Sequence, residues 1–217
     1  MTTTIEHSGI SEAMHPPVEI PLRQKLSESP PARLTMEEAT EVADGRIFEL
    51  IDGRMVFKMP DGKHSDTHSL LCIRMGNYFL ANPIGRVRTE FEHRFWPENP
   101  YEGRLPDLSV ILNESLERDQ RYATRAPDLA VEIVSLGDKW TELFEKAELY
   151  LEKGSRVVWI ADPFQKGVMV ITPTEQRWER EQLTCPELMP GFSVTMDEIF
   201  TWPKATQPDE AETAKQQ

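Results

Sequence analysis

Two apolar segments in the middle of the chain carry acidic residues where a buried strand ordinarily has none. Leu105–Leu112 contains Asp107, and Pro127–Val134 contains Glu132. An ionised carboxylate in an apolar setting is costly unless it is paired or coordinates a metal. Side chains alternate across a strand, so two neighbouring strands could bring Asp107 and Glu132 onto one face. This pattern predicts a metal site.

A pair of carboxylates with open coordination positions suits Mg²⁺, because this ion binds few protein ligands and retains several waters. Bound Mg²⁺ or Mn²⁺ could polarise a phosphoryl oxygen and lower the pKa of an attacking water. The alternative interpretation is structural, since single acids are common at strand ends and on the wet face of a sheet. Spacing alone leaves both interpretations open.

The composition limits the classes of function that the chain can have. Its 217 residues suit a single α/β domain. Its net charge of -13 counts against sequence-independent binding of DNA over a broad surface. Cys72 and Cys185 lie far apart, so neither a disulfide framework nor a zinc motif is expected. The sequence contains neither a secretory signal pattern nor an apolar stretch that could cross a membrane. We therefore expect a soluble, cytoplasmic protein with no membrane partner.

Proline and polar residues mark the expected limits of the domain. Residues 1–33 are polar and rich in proline, a composition that favours an extended or disordered arm. Residues 204–217 are expected to form a flexible tail. The folded domain is therefore predicted over residues 34–203.

The first part of this domain is predicted to be a short helix followed by a β-hairpin. Thr35 with Glu38 three residues later is a capping-box pattern, which marks the start of a helix. Asp52-Gly53 separates two apolar runs, which is a strong hairpin signal.

Helical and strand patterns alternate through the rest of the domain. The predicted elements are a helix over 64–81, a strand over 85–96, the two acid-bearing strands, a helix over 138–153, strands over 156–161 and 168–172, and a short helix over 196–200. This order of helices and strands predicts an α/β domain.

The succession of motifs resembles the Uma2 family, which is placed among the PD-(D/E)XK endonuclease-like proteins. The resemblance implies a restriction-endonuclease-like core with a mixed central β-sheet flanked by helices, plus an N-terminal hairpin. The implied activity is metal-dependent endonuclease cleavage of nucleic acid, with DNA as the expected substrate. The motifs are Glu49-Leu50-Ile51-Asp52-Gly53, His68, Pro106-Asp107, Pro127–Ser135, Lys146 with Tyr150, and Val158–Pro163.

The resemblance also implies roles for individual residues. Asp107 and Glu132 are expected to hold the Mg²⁺ or Mn²⁺ ion. The superfamily pattern expects a lysine two residues after the second acid, but Val134 stands there. Lys146, on the helix that follows, matches the family's lysine and could reach back over the sheet as the catalytic cation. Lys139 is the other candidate for that role.

Two further residues enter the candidate site through the resemblance. Glu49 is expected as a third, catalytic acid of the pocket, the alternative being an edge-strand acid paired with an arginine such as Arg54. His68 is a possible accessory residue, the alternative being a histidine packed at a helix start. Asp128 shares the strand parity of Glu132, but its position directly after a proline indicates the entry to the strand.

Three functions remain open from the sequence. The first is the nuclease, and the second is a non-catalytic nucleic-acid-binding or assembly module that keeps the nuclease fold, as Val134 and the negative charge suggest. The third is metal-assisted hydrolysis of another phosphoester. A homodimer or higher homo-oligomer is expected by analogy with restriction-type nucleases.

Overall fold

The structure, a computed structural model, describes residues 33–116 and 121–203. The predicted arm and tail lie outside these residues, apart from Arg33. None of the helices in the described part of the chain is long and apolar enough to cross a membrane. In chain order the elements are α1 Met36–Val42, β1 Phe48–Ile51, β2 Arg54–Phe57, α2 Gly62–Ala81, β3 Gly85–Thr89, β4 Leu108–Leu112, β5 Leu129–Ile133, α3 Trp140–Glu152, β6 Val157–Asp162, β7 Gly167–Ile171, β8 Gln176–Glu179, β9 Gln182–Cys185, β10 Met189–Thr195 and α4 Met196–Phe200.

Six strands form the central sheet, in the order β3-β4-β5-β6-β7-β8. Strands β5 and β6 run parallel, and the other neighbouring pairs are antiparallel. Parallel neighbours need a long crossover connection, and α3 supplies it here. This mixed sheet flanked by helices confirms the predicted fold class.

Alternation along the strands divides the core into two layers. Val131 and Ile133 of β5 pack in the layer that contains α2 and α4. Ala130, which has the opposite parity, packs in the layer beneath α3. Every residue of β4, β5 and β6 is buried. Helices α2 and α4 pack on one face of these strands, and α3 packs on the other face of β5 and β6.

The N-terminal helix and hairpin agree with the sequence prediction. At the start of α1, the Thr35 hydroxyl accepts from the Glu38 N–H and the Glu38 carboxylate accepts from the Thr35 N–H. Asp52 and Gly53, with φ of 50° and 73°, form the two-residue turn between β1 and β2. Leu50 of β1 packs with α1 in a small apolar cluster. Both predicted features are confirmed.

One predicted strand is much shorter in the structure than the sequence pattern indicates. The strand expected over 85–96 ends at Thr89, because Glu90 adopts a φ of 44° and turns the chain away from the sheet. Beyond this point His93 forms only isolated bridges with Arg104 and Ala123. The prediction of a strand is therefore wrong for residues 90–96, where the chain forms a loop with Phe95 buried in the core.

Other element boundaries also differ from the prediction. The acid-bearing strands begin at Leu108 and Leu129, so Asp107 lies immediately before its strand. Helix α2 begins two residues early, at Gly62, because the Asp61 side chain accepts hydrogen bonds from the first turn. Helix α3 begins two residues late, at Trp140.

Gly85 begins β3 at a point where a side chain would meet the backbone of β4. A Cβ atom there would lie 2.8 Å from the Ile111 carbonyl oxygen and 3.0 Å from the Leu112 Cα. We expect Gly85→Ala to lower the free energy of unfolding by about 1–3 kcal/mol, the usual range for overpacking. Urea denaturation measures it. Gly62→Ala is the control, because nothing lies within 4 Å of that Cβ position. Equal stability of the two variants would contradict this packing.

Candidate active site

The acids predicted from the sequence meet in a cleft of about 590 Å³. Glu49, Asp107 and Glu132 all line it, and each is at most 3 % exposed. Lys146 lines the same cleft. The structure therefore brings together the four residues proposed as catalytic from the sequence.

Asp107 and Glu132 come together through the pairing of β4 and β5. These strands are antiparallel, with Leu108 opposite Val131, so the residue before Leu108 lies beside the residue after Val131. The Ile133 N–H donates to Asp107 Oδ2 at 2.7 Å and fixes the side chain there. The two acids share one face of the sheet, as their parity in the sequence predicts.

Asp107 has two further side-chain partners, from two separate elements. Lys58 Nζ, just beyond β2, lies 2.6 Å from Asp107 Oδ1. His64 Nε2, in the first turn of α2, lies 3.2 Å from Asp107 Oδ2. Burial opposes ionisation of this carboxyl, but the charge of Lys58 and the hydrogen bond from His64 outweigh it and hold the pKa of Asp107 well below its ordinary value.

The other two acids share the ammonium group of Lys146. Lys146 Nζ lies 2.8 Å from Glu49 Oε2 and 3.3 Å from Glu132 Oε2. One helical turn further along α3, the buried Tyr150 hydroxyl donates to Glu132 Oε1 at 2.7 Å. Helical spacing places both side chains on the same face of α3, which packs over the sheet. Lys146 thus reaches back over the sheet, as the sequence predicts.

The pKa values of the two acids that contact Lys146 are shifted in opposite directions. Burial opposes ionisation of Glu49, but the charges of Lys146 and Lys58 outweigh it and lower the pKa of Glu49. For Glu132 burial prevails and raises the pKa, aided by the negative charges of the other two acids. Burial alone would lower the pKa of Lys146, but the surrounding carboxylates raise it. Glu132 is therefore the acid with the least stabilised negative charge.

The donor set fits a hard divalent cation. Three carboxylates face two ammonium groups, so the cluster retains an excess of negative charge. Within residues 33–116 and 121–203, no three or more His, Cys, Asp or Glu side chains are arranged as a complete metal site. Mg²⁺ does not require three, because it commonly takes one or two carboxylates and completes its shell with water and phosphate oxygens.

Backbone hydrogen bonds position the hairpin that supplies Glu49. Leu50 and Gly103 exchange N–H to carbonyl bonds of 3.0 and 2.9 Å, and Arg104 Nη1 donates to the Leu50 carbonyl at 2.8 Å. The Leu105 N–H donates to Glu49 Oε1 at 3.0 Å. The hairpin is therefore tied to the segment that leads directly into Asp107.

The start of α2 is attached to the same region. The Asp61 carboxylate accepts hydrogen bonds from the N–H groups of Lys63 and His64, and also from the Leu136 N–H beyond β5. His68, one turn after His64, lies with Nε2 3.0 Å from the Asp107 carbonyl oxygen. The predicted accessory residue His68 therefore contacts the backbone of Asp107, whereas His64 contacts its carboxylate.

Lys139, the other lysine candidate, lies on the exposed wall of the cleft and pairs with an exposed acid, whereas Lys146 contacts the buried acids. Lys139 is 72 % exposed at the side chain and pairs with Glu142. Glu49 pairs with Lys146 and not with Arg54, the arginine considered from the sequence.

Asp128 is a buried acid whose hydrogen bonds hold neighbouring parts of the fold together. Its Oδ2 accepts from the Leu112 N–H at 2.8 Å, and its Oδ1 accepts from the Ser115 hydroxyl at 2.9 Å. Both partners belong to the end of β4 and the turn that follows it. Asp128 therefore links this turn to the entry of β5, in agreement with the sequence interpretation.

Sequence reasoning missed Lys58 and His64 as site residues. Lys58 stands at the end of a hairpin strand, where a lysine is ordinarily a solvated residue and carries no signal. His64 precedes His68 by four residues, a spacing that puts both imidazoles on one helix face. That spacing was the available signal for His64.

Comparison with known proteins gives the family. The family model Uma2, described as "Putative restriction endonuclease", matches residues 34–197. The chain belongs to the Uma2 family, in agreement with the resemblance of its motifs. Among curated proteins, none matches the chain.

Comparison with solved structures supports the fold. The crystal structure of "a putative nuclease belonging to DUF820" from Anabaena variabilis is similar, with a TM-score of 0.64 and 23 % identity over 78 % of this chain and 98 % of that chain. This similarity confirms the nuclease-like fold. A cryo-EM structure of a DrdV–DNA complex has a TM-score of 0.29 and 9 % identity over 63 % of this chain and 14 % of that chain. A score this low does not establish a shared fold.

The Lys58–Asp107 contact gives a stability prediction. Replacing Lys58 with Met removes one cation from a buried carboxylate, so we expect the free energy of unfolding to fall by about 3–5 kcal/mol in chelator. Added Mg²⁺ should recover part of the loss by restoring positive charge. Urea denaturation with and without the ion measures both effects. Lys166→Met is the control, because Lys166 is exposed and contacts Thr201 and Asp197 only at the surface, where such contacts contribute little to stability. Equal stability of the two variants would show that Lys58 does not stabilise Asp107.

The Tyr150–Glu132 contact gives a second prediction. Tyr150→Phe keeps the ring and removes the hydroxyl, so the buried Glu132 Oε1 loses this donor while Lys146 still contacts Oε2. We expect a cost of about 1–3 kcal/mol in unfolding free energy. Tyr78→Phe is the matched control, because the Tyr78 hydroxyl donates to the Pro190 carbonyl at an exposed position. We expect that control to lose about 1 kcal/mol or less. The contact would be refuted if thermal and urea denaturation showed no difference between the two variants.

Proposed function

We propose that this chain is a metal-dependent endonuclease that hydrolyses phosphodiester bonds of nucleic acid, with DNA as the expected substrate. The observation that carries the proposal is the buried cluster of Glu49, Asp107 and Glu132 with the ammonium groups of Lys58 and Lys146. Membership of the Uma2 family and the nuclease-like fold support it. The two acids Asp107 and Glu132 also agree with the PD-(D/E)XK pattern.

Asp107 and Glu132 are the residues that would hold Mg²⁺ or Mn²⁺. Their oxygens are hard ligands, and they lie side by side at the ends of β4 and β5. The bound ion would polarise a phosphoryl oxygen and lower the pKa of the attacking water.

The lysines supply fixed positive charge in the same region. A phosphodiester gains negative charge at its oxygens as it is attacked, and ammonium groups already held in place stabilise that charge without rearranging. We propose Lys146 as the cation that takes the place of the missing lysine at Val134. Glu49 holds Lys146 Nζ at 2.8 Å and positions it. His68 would act as an accessory residue by fixing the backbone of Asp107.

Cleavage assays test the proposal. Purified protein should cut nucleic acid with Mg²⁺ or Mn²⁺ and lose this activity in chelator, and Asp107→Asn and Glu132→Gln should each lower the rate by about 100-fold or more. Labelled DNA and RNA, each single-stranded and double-stranded, provide the substrates. The readout is product length on a denaturing gel.

The control for these variants is Glu148→Gln. Glu148 is an exposed acid on α3, so the substitution makes the same chemical change outside the cleft. It should cut like the unsubstituted protein. Undiminished cleavage by Asp107→Asn or Glu132→Gln would remove the assignment of these acids.

A non-catalytic nucleic-acid-binding or assembly module is the second candidate function. It is favoured by the observation that Lys58 and Lys146 already stabilise the buried acids. Calorimetry with Mn²⁺ separates the two, because a module without a metal site gives no binding heat. Binding that is lost in Glu132→Gln supports the nuclease. A panel of other phosphoesters tests the third possibility, metal-assisted hydrolysis of a different substrate.

We further propose that residues 34–203 form one domain and that the protein acts in the cytoplasm. Within the described part of the chain, both Cys72 and Cys185 are free thiols, which suits a reducing compartment. A homodimer or higher homo-oligomer is proposed by analogy with nucleases that cut two strands. Sedimentation velocity measures it.

A further inference from the structure

The candidate acids lie at a depth that limits what can reach them. Each of the three is at most 3 % exposed, and the cleft volume of about 590 Å³ falls within the range of small-molecule sites. A DNA duplex is stiff over the length of a protein domain. Its phosphates cannot bend into such a cleft while the partner strand lies alongside. A single strand, which has rotatable bonds at every nucleotide, can do so.

The charges along the cleft also disfavour a duplex. Seven acidic and four basic side chains line it. All four bases are in ion pairs: Lys58 with Asp107, Arg104 with Glu102, Lys139 with Glu142, and Lys146 with Glu49 and Glu132. A duplex carries about twice as many phosphate charges per unit length as a single strand, so its binding depends more strongly on Lys and Arg side chains that neutralise them. This cleft does not offer a basic track of that kind within the described residues.

One part of the cleft wall is apolar and exposed. Val56, Met59 and Leu136 all line the cleft and are 46 %, 85 % and 77 % exposed, and we call these three residues the apolar lip. The Leu136 N–H donates to Asp61 Oδ2 at 2.8 Å, which ties the segment of Leu136 to the segment that follows Met59. The lip is therefore a supported surface beside the acids.

The face of an unpaired base is a flat surface that can pack against the apolar lip. Bases in a duplex are stacked on one another, so their faces are not available to the protein. Enzymes that act on unpaired or extruded nucleotides commonly hold the base against aromatic or apolar side chains. The lip has this chemical character, whereas the walls next to it carry charge.

We infer that the cleft takes unpaired nucleotides of a single strand, with a base against Val56, Met59 and Leu136 and its phosphate toward Asp107 and Glu132. The inference rests on the proposed nuclease function and specifies its substrate class. Regions where duplex gives way to single strand would qualify as well as free single strands.

Binding to paired and unpaired forms of one sequence is the first test. Fluorescence anisotropy is measured with a labelled oligothymidylate, alone and annealed to oligoadenylate, with Ca²⁺ in place of Mg²⁺ and the strand checked for integrity. We expect binding to the single strand at least about tenfold tighter. Equal or tighter binding of the duplex would overturn the inference. Competition by thymidine monophosphate as effective as that by the oligonucleotide would also overturn it, in favour of a small phosphoester.

Substitution of the lip is the second test. Met59→Ser and Leu136→Ser should each weaken binding of the oligothymidylate by roughly five- to tenfold, the lower end of the range for losing one base–aromatic contact, because these side chains are aliphatic. Their unfolding midpoints should not change, since both side chains are exposed. Leu80→Ser is the matched control, because Leu80 on α2 is also 85 % exposed and does not line the cleft. Lip variants that bind like this control would overturn the inference.

Cleavage of the same two substrates separates the inference from the proposed function. Equal cutting of single strand and duplex would overturn the inference and leave the nuclease intact. Cleavage of neither, combined with preferential binding of the single strand, would overturn the nuclease and support the binding specificity. Preferential cutting and binding of the single strand would support both.

Discussion

Burial of Asp107 requires Lys58 and His64 to be in place, and much of this fold is arranged around that requirement. The acid lies where β4 begins, the lysine follows the hairpin, and the histidine opens α2. A buried carboxylate that loses one partner costs several kcal/mol, although an intact buried pair contributes little net stability. The hairpin and α2 must therefore dock together for the end of the sheet to be stable.

In the second half of the site, Lys146 pairs with two buried acids, Glu49 and Glu132. Burial raises the pKa of Glu132, and the charge of Lys146, which also pairs with Glu49, opposes this shift without cancelling it. A fold selected for stability alone could place apolar residues here. The retained excess of negative charge favours a bound cation, and this is why the cluster supports a metal-dependent function.

The sequence predicted the parts of the site that depend on local periodicity. The alternation of strand residues correctly placed Asp107 and Glu132 on one face. The position of Lys146 over the sheet was implied by the family resemblance, and the structure agrees with it. The same reasoning failed for residues 90–96. Their mixed polar and aromatic residues were predicted to continue a strand, but Glu90 turns the chain away. His93 Nδ1 lies 2.8 Å from the Arg125 carbonyl oxygen, a contact distant in sequence.

The sequence by itself determined the α/β order, the hairpin turn and the two acids, because each depends on residue types within one element or one turn. Only the tertiary structure decided which cations the acids receive. Lys58 and Asp107 are 49 positions apart. They meet because backbone hydrogen bonds between Leu50 and Gly103 dock the hairpin against the segment that leads into Asp107. Backbone groups are alike in nearly every residue, so such docking leaves no pattern in the sequence.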